Sequence, residues 1–110
     1  MGDRANVKVV YEDSVVFLYT HWEGFSLPST VQNALLKKER WDDGQYLSRI
    51  IFQEMIGQDT SSTGFGISSV VGDGDDRVLI VNVDEQSVSV KEKRWTFDEF
   101  LKTDATKAWA

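Results

Sequence analysis

The stretch Val15-Val16-Phe17-Leu18-Tyr19-Thr20-His21-Trp22-Glu23-Gly24 is an unbroken apolar run that turns into polar and aromatic residues and closes on a glycine. Strands buried on both faces read as continuous apolar runs, so this stretch reads as a central strand ending in a decorated rim. Alternation places Val15, Phe17, Tyr19 and His21 on one face and Val16, Leu18, Thr20 and Trp22 on the other. The single histidine then stands in line with two aromatics, beside an indole of the opposite face.

The flanking sequence builds outward from this strand. Val7-Lys8-Val9-Val10-Tyr11 is a second β-type run, and Glu12-Asp13-Ser14 between the two reads as a hairpin turn, making them antiparallel neighbours. Ser26 is placed to cap a helix over 27–39 with Pro28 in its first turn, apolar residues Leu27, Val31, Ala34 and Leu35, and Lys37, Lys38 and Arg40 near its C-terminal carbonyls. Asp42 or Asp43 caps a second helix over 44–56, whose stripe is Leu47, Ile50, Ile51 and Met55 and whose end is Gly57. Residues 65–71 alternate as a strand, with Gly64 and Gly66 marking a twisted entry or a close backbone approach. After the acidic turn 72–76, Val78 to Val83 forms a second continuous apolar strand, and Val88-Ser89-Val90 a more exposed one. Thr96-Phe97-Asp98-Glu99 has capping-box spacing ahead of a short helix, and residues 104–110 read as a frayed tail in which Trp109 is either docked or exposed. The expectation is a single α+β domain ordered ββααβββα, with a mostly antiparallel five-stranded sheet packed on one face by the two central helices.

Composition narrows the functional classes. The 110 residues contain twelve cations against eighteen carboxylates, a net charge of −6, which opposes direct nucleic-acid binding and adhesion to anionic membranes. Absence of cysteine excludes disulfides, thiolate metal sites and cysteine catalysis. No apolar segment approaches the roughly 18 residues of a membrane helix, so the default expectation is a cytoplasmic protein without membrane contact.

Individual motifs resolve mostly into structure. Asp73 and Asp75 have the spacing that opens a calcium loop, but Arg77, Val78 and Asp84 then occupy positions that require an oxygen ligand, a glycine and a bidentate glutamate. An ordinary turn explains them. Gly64-Phe65-Gly66 lacks the lysine and helix of a phosphate loop, and Lys91-Glu92-Lys93-Arg94 before Trp95 reads as a charged, solvated strand edge. Glu23, Asp42, Asp43 and Glu54 have no defined mutual separation, so capping and solvation account for them. No cofactor and no metal site are implied. His21 could act as a general base, yet it accompanies no nucleophile motif, and packing among rim aromatics explains it more economically. Four tryptophans at 22, 41, 95 and 109 are the most suggestive feature, since indoles concentrate at binding hot spots; Trp22 and Trp41 read equally as such or as core filler.

Three stretches together, Tyr19 to Gly24, Trp41 to Phe52 and Gly64 to Ser68, make the chain similar to a group of small uncharacterised proteins of actinobacterial phages and their hosts. The resemblance covers most of residues 15–90. Similar proteins often carry a second glycine where this chain has Glu23. What the resemblance implies is a small phage-type or mobile-element protein, with no catalytic residues to transfer. The resulting expectation is a protein-binding module that uses a rim of Tyr19, His21, Trp22, Trp41 and Phe65. One alternative is a small enzyme or nucleotide-binding protein, with His21 as base and Arg49 or Arg94 on a phosphate. Another is an acidic mimic of nucleic acid, which requires carboxylates 73, 75, 76, 84 and 85 along one extended face. An exposed strand edge over 88–94 offers a route to a homodimer.

Overall fold

The computed structural model describes residues 2–110. Its elements are β1 (Ala5–Tyr11), β2 (Ser14–Thr20), α1 (Leu27–Leu36), α2 (Gly44–Ile56), β3 (Phe65–Ser68), β4 (Val78–Asn82), β5 (Ser87–Val90), β6 (Lys93–Thr96) and α3 (Phe97–Leu101), followed by a 3₁₀ turn at Ala105–Lys107. The α+β class holds. The sheet has six strands, in the order β3-β2-β1-β4-β5-β6, antiparallel throughout except where β4 lies parallel to β1. Parallel neighbours need a long crossover, and the two helices and β3 lie within that connection.

The sixth strand escapes a sequence reading because its turn carries no usual signal. Val90 pairs with Lys93 across Lys91-Glu92, and Lys91 takes φ +54°, a conformation usually left to glycine or asparagine. Glu12 takes the same φ in the β1–β2 turn, where Tyr11 pairs with Ser14. Asp84 supports that turn by accepting the Glu12 N–H with both carboxylate oxygens, at 3.0 and 2.8 Å.

Register decides which face is core. Val7 lies opposite Leu18 and Leu79, and Val9 opposite Val16 and Val81; these side chains meet Leu27, Val31 and Leu35 of α1, Leu47 and Ile51 of α2, and Phe97 and Phe100 of α3. The other face carries Phe17, Tyr19, Lys8, Val10 and Ile80, all half-buried. Strand β2 is therefore interior but next to the edge, and its apolar outer face is not covered by a helix.

Helix termini follow the capping chemistry with one exception. Asp43 accepts the N–H groups of Gln45 and Tyr46 at the start of α2, and Thr96 and Glu99 form a complete capping box on α3. Ser26 precedes α1 without capping it; its hydroxyl turns back to Glu23, and α1 stops at Leu36, ahead of the cations. Gly44 is the first residue of α2 because a Cβ there would collide with the Tyr11 ring. The C-terminal residues are packed, not frayed: Ala105 and Ala108 are buried, and Trp109 donates to the Gly24 carbonyl at 2.8 Å.

Candidate binding surface

Strand β2 delivers its rim residues in two directions. Tyr19 stands on the open face, and its hydroxyl lies 2.8 Å from Nδ1 of His21, which the Arg4 Nε–H also approaches at 3.3 Å. An arginine N–H only donates, so Nδ1 accepts in that contact. The indole of Trp22 meets the imidazole edge-on with centroids 4.3 Å apart, while remaining 58% exposed. Tyr19, His21 and Trp22 thus form one cluster. Phe65 pairs with Thr20 and so points to the helix side, where it lines a small cleft with Met55 and Leu27. Trp41 lies elsewhere: it packs edge-on against Phe97 at 5.2 Å and donates to the Leu35 carbonyl at 3.2 Å, closing the core under α3. Sequence could not separate these roles, because an indole before a helix cap reads the same whether it faces the core or solvent.

Trp22 and its neighbours are held by a latch beneath them. The Asp3 carboxylate accepts from Arg77 and, at 2.8 Å, from the Phe25 N–H, while the Asp3 carbonyl accepts the Gly24 N–H at 2.8 Å. Arg77 lies over the Trp109 ring, 5.6 Å from its centroid, which closes the latch onto the C-terminal turn. The Arg77 hydrogen bond, reinforced by the Phe25 N–H, holds the Asp3 carboxyl below its ordinary range. A Cβ on Gly24 would run into the Asp3 carbonyl and the Arg77 guanidinium, which explains the glycine closing the stretch.

Beside this cluster the open face deepens into a groove of about 260 Å³ between β2, β3 and residues 70–73, lined by Phe17, Tyr19 and Val70 and by the 66–68 segment of β3, with Asn6 and Asp73 also in its wall; Ile67 itself lies opposite Leu18 and so turns its side chain to the helix side, as Phe65 does. The 70–73 wall is fixed by the Asn6 side chain, which is buried and donates to the Asp73 carbonyl at 2.9 Å. Ile67, Val70 and Val71 are 62%, 68% and 40% exposed. These three aliphatic residues were not singled out by the sequence reading. In the sequence they are only the end of an alternating run; that β3 is an edge and that nothing covers the two valines follow from the strand order.

His21 lines neither the groove nor the cleft beside Phe65; Arg49 is bonded to Gln53 on α2, and Arg94 to Glu85 of the β4–β5 turn. Among the described residues no group of histidine and carboxylates is arranged to hold a metal, and no helix is long and apolar enough to cross a membrane. The acidic turns lie at opposite ends of β4, Asp73, Asp75 and Asp76 before it and Asp84 and Glu85 after it, with about 17 Å of strand between them. At the second end the Glu12 carboxylate, with burial and Asp43, Asp84 and Asp42 adding to it, holds the Tyr11 phenol above its ordinary range. Those carboxylates do not form one extended acidic face. Compared with family models, curated proteins and solved structures, the chain finds no significant match.

Proposed function

We propose that this chain is a protein-interaction module that engages its partner through the corner formed by β2, the turn leaving it, and β3. One observation carries the reading: five of the seven large apolar residues exposed among the described residues (Trp22, Phe25, Ile67, Val70 and Val71) sit in that turn or on and just beyond β3. Apolar exposure concentrated in one corner is costly to keep unless something covers it, and an indole beside a tyrosine is the composition of a binding hot spot. The latch of Asp3, Arg77 and Trp109 fixes the backbone under the turn, so Trp22 is offered from a rigid base. The setting we propose, a phage or mobile-element protein engaging a host protein, is supported by the resemblance of residues 19–24, 41–52 and 64–68 to such proteins.

Capture from nuclease-treated lysate of the source cells tests the reading when run with matched variants. Trp22→Ala and Ile67→Ser, which remove exposed side chains and leave the core intact, are expected to lose the partner. Tyr46→Ala, 55% exposed on α2 in the parent, is expected to retain it. Retention of the same partner by all three folded variants contradicts the placement of the surface.

A further inference from the structure

The parity of β3 shows what the corner can hold. The His21 N–H donates to the Gly64 carbonyl at 2.9 Å, and antiparallel bonding alternates, so Gly66 and Ser68 turn their N–H and C=O groups toward Tyr19 and Phe17 of β2. Phe65 and Ile67 therefore turn theirs outward. Among the described residues no strand lies beyond β3, and no backbone hydrogen bond from outside the sheet reaches residues 65–68. The edge offers two donors and two acceptors at the spacing of a strand.

Charge and shape restrict the occupant. Residues 57–76, which surround this edge, contain Asp59, Asp73, Asp75 and Asp76 and not one lysine or arginine. The ion pairs among the described residues are Lys37 with Glu54, Arg77 with Asp3 and Arg94 with Glu85, so the carboxylates of 73, 75 and 76 take part in none of them. On the open face β3 presents only Gly66 and Ser68, and a Cβ on Gly66 would reach no nearer than 3.8 Å to Tyr19, which leaves room for side chains of an added strand over the groove.

Resting on the interaction reading above, we infer that the β3 edge takes an extended segment of a partner protein as a seventh strand, one that alternates apolar residues with lysine or arginine. Main-chain bonds to Phe65 and Ile67 supply the docking, apolar side chains enter the groove against Phe17 and Val70, and the cations, which by the same alternation turn away from the groove, are held by the summed field of Asp59, Asp73, Asp75 and Asp76 around the edge. Strand addition of this kind draws affinity from the backbone and selectivity from alternate side chains.

The probe is a synthetic eight-residue peptide alternating lysine and valine, titrated by calorimetry into the full chain. Controls are the glutamate–valine peptide and a lysine–valine peptide N-methylated on alternate residues. The lysine–valine peptide is expected to bind, to weaken as salt rises, and to lose about ten-fold or more in affinity on N-methylation, one net hydrogen bond being worth about that factor. Ile67→Pro removes an outward N–H that the sheet does not use and is expected to weaken the peptide by the same factor with an unchanged melting temperature. Asp73→Asn with Asp75→Asn is expected to flatten the salt dependence. Equal binding of the glutamate and lysine peptides, or full affinity for the N-methylated peptide, overturns the inference. So does a concentration-dependent dimer dispersed by Ile67→Pro, which would make a second copy the occupant. If capture of the lysate partner still depends on Trp22 while the peptide fails, the corner reading stands and strand addition falls; if Trp22 is also dispensable, both fall.

Discussion

At the β6 edge of the sheet, bonding alternates so that Arg94 and Thr96 face outward; the Thr96 N–H bonds Glu99 of its own capping box, and Arg94 carries a charged guanidinium paired with Glu85. Lys93 reaches from the same strand to the carbonyls of Lys107 and Ala108, both at 3.2 Å, and of Ala110, tying the C-terminal turn to that edge. At the β3 edge, Phe65 and Ile67 face outward with no charge, no capping side chain and no returning chain. Both strands are four residues long, so shortness protects them equally. What differs is charge and cover, the devices by which sheets avoid pairing with strangers. One edge is finished; the other is left open beside an exposed indole and three exposed aliphatic side chains.

Removing the support of the finished edge has the largest expected effect. Phe100 is fully buried and packs on Trp95 of β6 at 5.3 Å, so Phe100→Ala should cost about 3–5 kcal/mol in urea unfolding. A loss under about 1 kcal/mol would mean that α3 does not brace this edge. Proline scanning of the open edge sharpens the contrast. Gly66→Pro deletes an inward N–H and strands a β2 carbonyl, so it should destabilise by about 1–3 kcal/mol, whereas Ile67→Pro should lie within about 0.5 kcal/mol of the parent. Equal costs would refute the assigned parity.

These contrasts also mark what the sequence discloses. The presence of the helices, an aspartate cap at 42 or 43, the Thr96–Glu99 box and the apolar strands β2 and β4 were legible because local chemistry and tertiary structure agree there. The return strand β6 was not, since Lys91 adopts the turn conformation without being glycine and Lys93-Arg94 reads as solvated charge. Of the rim, Tyr19, His21 and Trp22 were visible from alternation along one strand, while the true neighbours of Trp41 and Phe65 depend on how α2 and β3 return to the sheet. An edge becomes visible only when strand order is known, so the open face of β3 had no signature in the chain.

Smaller effects test the parts that hold the edges in place. Thr96→Ala removes the cap next to the finished edge and should cost about 1 kcal/mol, with faster exchange of the Glu99 amide. An unchanged midpoint would show that the box is dispensable. The least effect is expected of Asp3→Asn in the latch below Trp22. Because the folded-state value of Asp3 lies below the unfolded one, its contribution is present above the ordinary carboxylate value of about 4 and is lost as pH falls through the folded value. With the side chain 41% exposed, solvent screens the pair and the shift in melting temperature should be small. The difference between parent and Asp3→Asn should shrink toward zero on acidification; a difference that grows with acid would contradict the Arg77 pairing.

Residue-resolved amide exchange by NMR on the free protein, repeated with the lysine–valine peptide, tests the open edge most directly. The account predicts that the amides of Phe65 and Ile67 exchange rapidly while Gly66 and Ser68 are protected, and that the peptide protects Phe65 and Ile67 without altering Arg94 or Thr96. Protection of all four β3 amides in the free protein, or peptide-induced protection on β6 in place of β3, would contradict it.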